Sequence, residues 1–83
     1  MAVTVKRVVA PMPAIVVEIL VKVGDSVEAG QQLMTLECMK VQSPLVSSSQ
    51  GVVRAINARL GDFVDSGMAL LELALDQVVV GER

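Results

Sequence analysis

A repeat at a spacing of 37 residues, measured from Gly24 to Gly61, limits what this chain can fold into more than any single residue does. Aligning the halves places Gly24, Asp25, Val27, Gly30, Leu33 and Leu36 over Gly61, Asp62, Val64, Gly67, Leu70 and Leu73. Val9, Val16 and Ile19 fall over Val46, Val53 and Ile56 in the same frame. The pattern reads as a duplicated unit, residues 1–37 and 38–74 with a tail at 75–83. Each copy is too small to bury its own apolar face, so the two are expected to bury them against each other about a pseudo-twofold axis.

The size of the chain then restricts its function. With 83 residues it is read as a single domain, and a body this small buries only ~60–65% of its unfolded surface, leaving no room for an active-site cavity with walls. Apolar residues make up 53% of the chain and Phe63 is the one ring, so the core must be built from Val, Leu, Ile, Met and Ala. Richness in Val favours strands.

Nine acids against seven bases give a net charge of −2 with no clustering. Such a surface lacks the basic patch and stacking aromatics of a nucleic-acid binder, so no nucleic-acid partner is expected. The apolar run from Val8 to Val17 contains two prolines, Glu18 and Lys22 follow it, and it is far short of the ~20 residues a spanning helix needs. Neither an anchor nor a signal peptide is read here, and no direct membrane insertion is expected. Cys38 is the one cysteine and there is no histidine, which leaves no base to activate the thiol and no companion ligand for a metal. Zinc sites and Ser/Cys–His catalysis are thereby set aside. A packed thiol in a reducing cytoplasm is the expectation for Cys38.

Short apolar segments alternate with turn signals in both halves. The expected strands cover residues 3–9, 14–23, a short piece near Val27, and Gln32 to Cys38, then residues 41–46, 52–60, 63–64 and 69–75. Strands this short and regularly punctuated predict an antiparallel all-β sandwich or barrel. In the second strand Ile19, Val21 and Val23 keep period two while Val16 is out of phase, and Val53 slips in the same way against Ile56, Ala58 and Leu60. If Val16 and Val53 are core residues, each strand needs a β-bulge, because a slip of one residue turns a side chain to the other face. Pro44 cannot donate a ladder hydrogen bond, so its strand is expected at a sheet edge or unpaired there. Gly24-Asp25 and Gly61-Asp62 supply the positive φ that tight turns need.

The seam between the copies departs from these rules. The strand ending at Cys38 and the one starting at Val41 predict a hairpin centred on Met39-Lys40, whose symmetry mate near Ala2-Val3 is the chain ends. An exposed corner and a pair of chain ends at opposite poles is the expected layout. Two-residue hairpins favour Asn-Gly, Asp-Gly or Gly-X, because one or both central residues take positive φ. Met39-Lys40 offers none of these. A lysine in a small domain is ordinarily a solvated charge, but a broken local rule at the symmetry corner is a mark of a functional site. The chemical alternative is an attachment point, where acylation turns the charged tip into a neutral amide on a flexible stem. With no cation cluster or histidine near it, the activation must come from a modifying enzyme.

Over residues 8 to 75 the chain resembles the biotinyl, or biotin carboxyl carrier, domains of biotin-dependent carboxylases and decarboxylases. The family signature Glu-Ala-Met-Lys-Met appears here as Glu37-Cys38-Met39-Lys40-Val41, the Ala-Pro-Met-Pro-Gly turn as Ala10-Pro11-Met12-Pro13-Ala14, and the later glycine as Gly51. Cys38, Val41, Ala14 and Ser48 depart from the pattern. The resemblance implies a flattened barrel of two four-stranded antiparallel sheets, with biotin on Lys40 and Glu37, Cys38, Met39 and Val41 as its motif flanks, Met39 serving ligase recognition. It implies a non-catalytic carrier. A biotin protein ligase acylates Lys40, a biotin carboxylase loads the ring using ATP and bicarbonate, and a carboxyltransferase or decarboxylase takes the group or supplies it. Gly24-Asp25-Ser26-Val27 is no longer than Gly61-Asp62-Phe63-Val64, so the thumb inserted in some bacterial carriers is not expected. Two alternatives stay open at this point. Val41 also fits the sister lipoyl carriers of oxoacid dehydrogenases and glycine cleavage, and similar hairpins occur as non-carrier structural modules beside long coiled coils.

Overall fold

Apolar segments become strands, and Gly24, Gly30, Gly61 and Gly67 lie in turns between them. The computed structural model describes residues 4–75. Its elements are β1 (Thr4–Val9), β2 (Ala14–Ile19), β3 (Ser26–Val27), β4 (Gln32–Cys38), β5 (Val41–Val46), β6 (Gly51–Ile56), β7 (Phe63–Val64) and β8 (Ala69–Leu75). They form two four-stranded antiparallel sheets, ordered β1-β8-β6-β3 and β5-β4-β2-β7. The repeat maps each sheet onto the other. Residues 1–3 and the tail from residue 76 onward lie outside the described residues, and with them the expectation for Ala2-Val3.

Each sheet draws strands from both copies. The sheet carrying the Met39-Lys40 corner takes β2 and β4 from the first half and β5 and β7 from the second. The loops tie the halves together in the same reciprocal way. The Gly24 N–H donates to the Val53 carbonyl and the Val53 N–H to the Asp25 carbonyl, both at 2.8 Å. In the mate, the Gly61 N–H donates to the Val16 carbonyl at 2.7 Å and the Val16 N–H to the Asp62 carbonyl at 2.9 Å. Because buried backbone groups must be paired, neither half satisfies its own central strand without the other.

The two bulges occur where the frame slips. Register shifts fall between Val16 and Glu18 and between Val53 and Ala55, and both valines are buried. Period two continues past them through Ile19 and Val21 and through Ile56 and Ala58, but not to Val23 and Leu60 as expected. The strand expected over 14–23 ends at Ile19, and the one expected over 52–60 ends at Ile56. Val21 and Ala58 still reach the core, but Val23 and Leu60 are 61% and 66% exposed. The cause is the approaching turn: ladder pairing with β4 stops at Ile19–Met34, and the chain then bends toward Gly24, whose φ is 99°. Its mate bends at Gly61, with φ 89°. Asp25 and Asp62 brace these bends, their carboxylates accepting hydrogen bonds from the Lys22 and Arg59 N–H groups at 3.0 and 2.9 Å.

Leu33, Leu36, Leu70 and Leu73 join Val16, Val27, Val53 and Val64 in the core between the sheets, each a repeat pair. Pro44 sits on β5, which is an edge strand. That location spares the sheet a missing donor. The core and both edges therefore leave β4 held on two sides, by β2 and by β5, up to the corner.

Candidate functional site

The corner is built by a ladder that runs to its last residue. Pairing between β4 and β5 extends from Gln32–Val46 to Glu37–Gln42 and Cys38–Val41, leaving Met39 and Lys40 as a two-residue turn. Their φ angles are 53° and 66°. Among the described residues they are the two non-glycines with positive φ. Two positive φ values in succession are the mark of a type I′ turn, whose twist matches that of the flanking strands. L-residues held there lose on the order of 1–2 kcal/mol each. Burial does not offset this, since Met39 is 89% exposed and Lys40 is exposed as well. The fold therefore holds a strained turn whose evident product is the presentation of two side chains to solvent.

The remaining flanks divide between anchoring and display. Cys38 is half-buried and packs against the core, while Val41 across from it is 64% exposed. Glu37 is half-buried and accepts a hydrogen bond from the Gln42 side-chain amide at 3.4 Å. All five residues of the motif thus come together on one hairpin. Chemically the tip offers one primary amine on a four-carbon stem, held by a rigid body that need not unfold to deliver it into a cleft.

Cross-strand register places two further residues at this end of the sheet. Ile15 on β2 stands opposite Glu37 on one side and Phe63 of β7 on the other, so an outward row crosses the whole sheet as Gln42, Glu37, Ile15, Phe63. The next row, Ala14 opposite Val64, points inward and is buried. Ile15 and Phe63 are both exposed. Reading the strands one at a time misses this pair. The repeat held a signal for Phe63, because its mate is Ser26 while the mate of the next residue, Val64, is Val27. Ser26 and Phe63 are both exposed, whereas Val27 and Val64 are both buried.

The biotin/lipoyl family pattern, described as “Biotin-requiring enzyme”, matches residues 6–73. A biotin/lipoyl attachment protein of Bacillus subtilis is 44% identical over 54 residues, covering 65% of this chain and 74% of the relative. The biotin carboxyl carrier protein of Streptococcus mutans is 42% identical over 65 residues, covering 78% of this chain and 50% of that protein. The dihydrolipoyllysine-residue acetyltransferase component of the pyruvate dehydrogenase complex of Pseudomonas aeruginosa is 46% identical over 61 residues, 74% of this chain and 11% of its own. Among solved structures, a single-chain, multi-domain long-chain acyl-CoA carboxylase superposes with a TM-score of 0.81 at 27% identity, covering 88% of this chain and 7% of that one. The chain spans between 3% and 11% of the length of its multidomain curated relatives.

Proposed function

This chain belongs to the biotin/lipoyl attachment family, and on that premise we propose that it is a biotin carrier domain whose attachment residue is Lys40. The observation that carries this reading is the strained, exposed Met39-Lys40 turn at the end of a fully paired hairpin. The residues present fit a covalently bound biotin: an exposed amine at a tip, with a fold behind it that needs no rearrangement to reach a partner. When bound, biotin supplies a ring that takes up and releases a carboxyl group. The chain's own residues do something simpler. Lys40 tethers, the turn aims the tether outward, the β4–β5 ladder keeps the aim constant, and the tether raises the local concentration of the carried group at each partner. No side chain at the tip makes or breaks a bond of the carried group.

Biotin is favoured over lipoate by Met39, which stands where lipoyl domains typically carry Asp. The partners of this reading are a biotin protein ligase, a biotin carboxylase, and a carboxyltransferase or decarboxylase. Similarity to carboxylase chains supports that set. Cytoplasm is the compartment that goes with it, where Cys38 stays a thiol.

Intact mass after co-expression with a biotin ligase tests the proposal. Wild type is expected to gain the mass of one biotinyl group and Lys40→Arg to gain none. An unmodified wild type, or a wild type modified only by a lipoyl ligase, would overturn it.

A further inference from the structure

Resting on the proposed function, we infer that Ile15 and Phe63 form the docking shelf for the enzyme that acylates Lys40. Phe63 is the one aromatic residue of the chain and is 64% exposed, on the outer face of an edge strand. Its symmetry mate is Ser26 and the mate of Ile15 is Val52, so an apolar shelf with an aromatic ring exists only at the end of the molecule that carries the lysine. The outward row that contains the shelf passes through Glu37, the residue three before Lys40.

Distance decides which partner needs this surface. Neighbouring strands lie ~4.8 Å apart and residues along a strand ~3.3 Å apart, which puts Ile15 and Phe63 roughly 10–15 Å from the Lys40 backbone. The unmodified amine stands only about 6 Å from its own Cα, counting bonds of ~1.5 Å. The amine attacks the acyl carbon of an activated acyl donor; the new C–N bond forms as the bond to the leaving group breaks, and the amine's proton passes to a base of the enzyme. An enzyme holding that donor must come down onto the hairpin and cover the surface around it. Partners met later work on a longer arm and have no such need. Charge limits the partner further, because Glu37 stands opposite Ile15 and Asp62 directly precedes Phe63, which puts a carboxylate beside each member of the shelf. The fitting partner is a ligase with an apolar pocket edged by cationic side chains.

The test uses the full chain, purified biotin ligase, biotin and ATP, with initial rates of biotin incorporation read by mass. Phe63→Ser, which installs the mate's residue, is expected to raise KM for the domain about tenfold with kcat within twofold, at an unchanged melting temperature. Phe63→Leu should return KM to within about threefold of wild type, and Ile15→Thr should raise it in the same direction as an independent probe of the shelf. Ser26→Phe on the opposite sheet should leave KM unchanged. Wild-type KM in both Phe63→Ser and Ile15→Thr would overturn the inference, as would an equal rise in Ser26→Phe. A rate defect seen only when the biotinylated domain is presented to a biotin carboxylase would reassign the shelf to that enzyme. A wild-type dimer that Phe63→Ser dissociates would reassign it to a second copy of this chain. Failure of the underlying reading is distinct, since wild type would then take up no biotin at all.

Discussion

The end of the molecule that carries Met39-Lys40 and the opposite end share a strand ladder and differ in almost everything displayed on it. At one end Cys38 pairs with Val41 and Glu37 with Gln42; at the other Leu75 pairs with Thr4 and Ala74 with Val5, which is the same ladder shifted by one repeat. The corner joins its two strands through a turn with two positive φ values, whereas β1 and β8 meet as separate segments. The outward row beside the corner reads Gln42, Glu37, Ile15, Phe63, and beside the mate it reads Val5, Ala74, Val52, Ser26. The two ends are related by the repeat, and one of them carries a turn with an exposed amine. On the proposed function, a carrier site needs little beyond a body able to hold a strained turn still.

Separating the halves is the most destructive way to break the comparison. Residues 1–38 alone are expected to show no cooperative unfolding and no strand signal by circular dichroism, because β2 would lose β7 and the Asp62 carbonyl. Next in size is Gly51→Val. A Cβ there would stand 2.9 Å from the Ala74 carbonyl oxygen and 3.2 Å from a Leu75 methyl, so denaturant unfolding should show a loss of about 1–3 kcal/mol. Its mate position is already occupied by Ala14, and Ala14→Gly should lose only about 0.5–1 kcal/mol. Gly24→Val and Gly61→Val should each lose about 1–2 kcal/mol, and by nearly equal amounts, since both residues hold positive φ in mated turns. An unequal pair of midpoints would show that the two bends are not energetically equivalent.

The two smallest effects concern the corner itself. Replacing Met39-Lys40 by Asn-Gly is expected to stabilise the domain by about 1 kcal/mol in thermal unfolding while abolishing biotin uptake, because the favoured turn residues relieve the strain. No gain would mean that the turn is not strained. Lys40→Arg should change stability by less than ~0.5 kcal/mol, as an exposed substitution. A clear drop in its melting temperature would make the lysine structural.

Some of this was legible along the chain and some was not. The slips at Val16 and Val53 announced bulges correctly, since a side chain forced off the alternation must either leave the core or kink the strand. Pro44 announced an edge, and Met39-Lys40 a turn out of keeping with its residues. Val23 and Leu60 misled, because alternation continues in the letters after the ladder has stopped. Period two states which face of a strand is apolar and says nothing of which strand lies beside it. For that reason the exchange of strands between halves, and the Ile15–Phe63 row, could not be read from spacing.

What the sequence determined by itself is local: the duplicated unit, its bends at Gly24 and Gly61, its bulges, and the corner whose residues defy turn chemistry. The glycine bends are backbone preferences, which a residue carries wherever it is placed. The tertiary structure decided adjacency. Strands distant along the chain are neighbours only because burying both apolar faces in one core brings them together. That shared core sets Phe63 beside Ile15 at the end that bears Lys40.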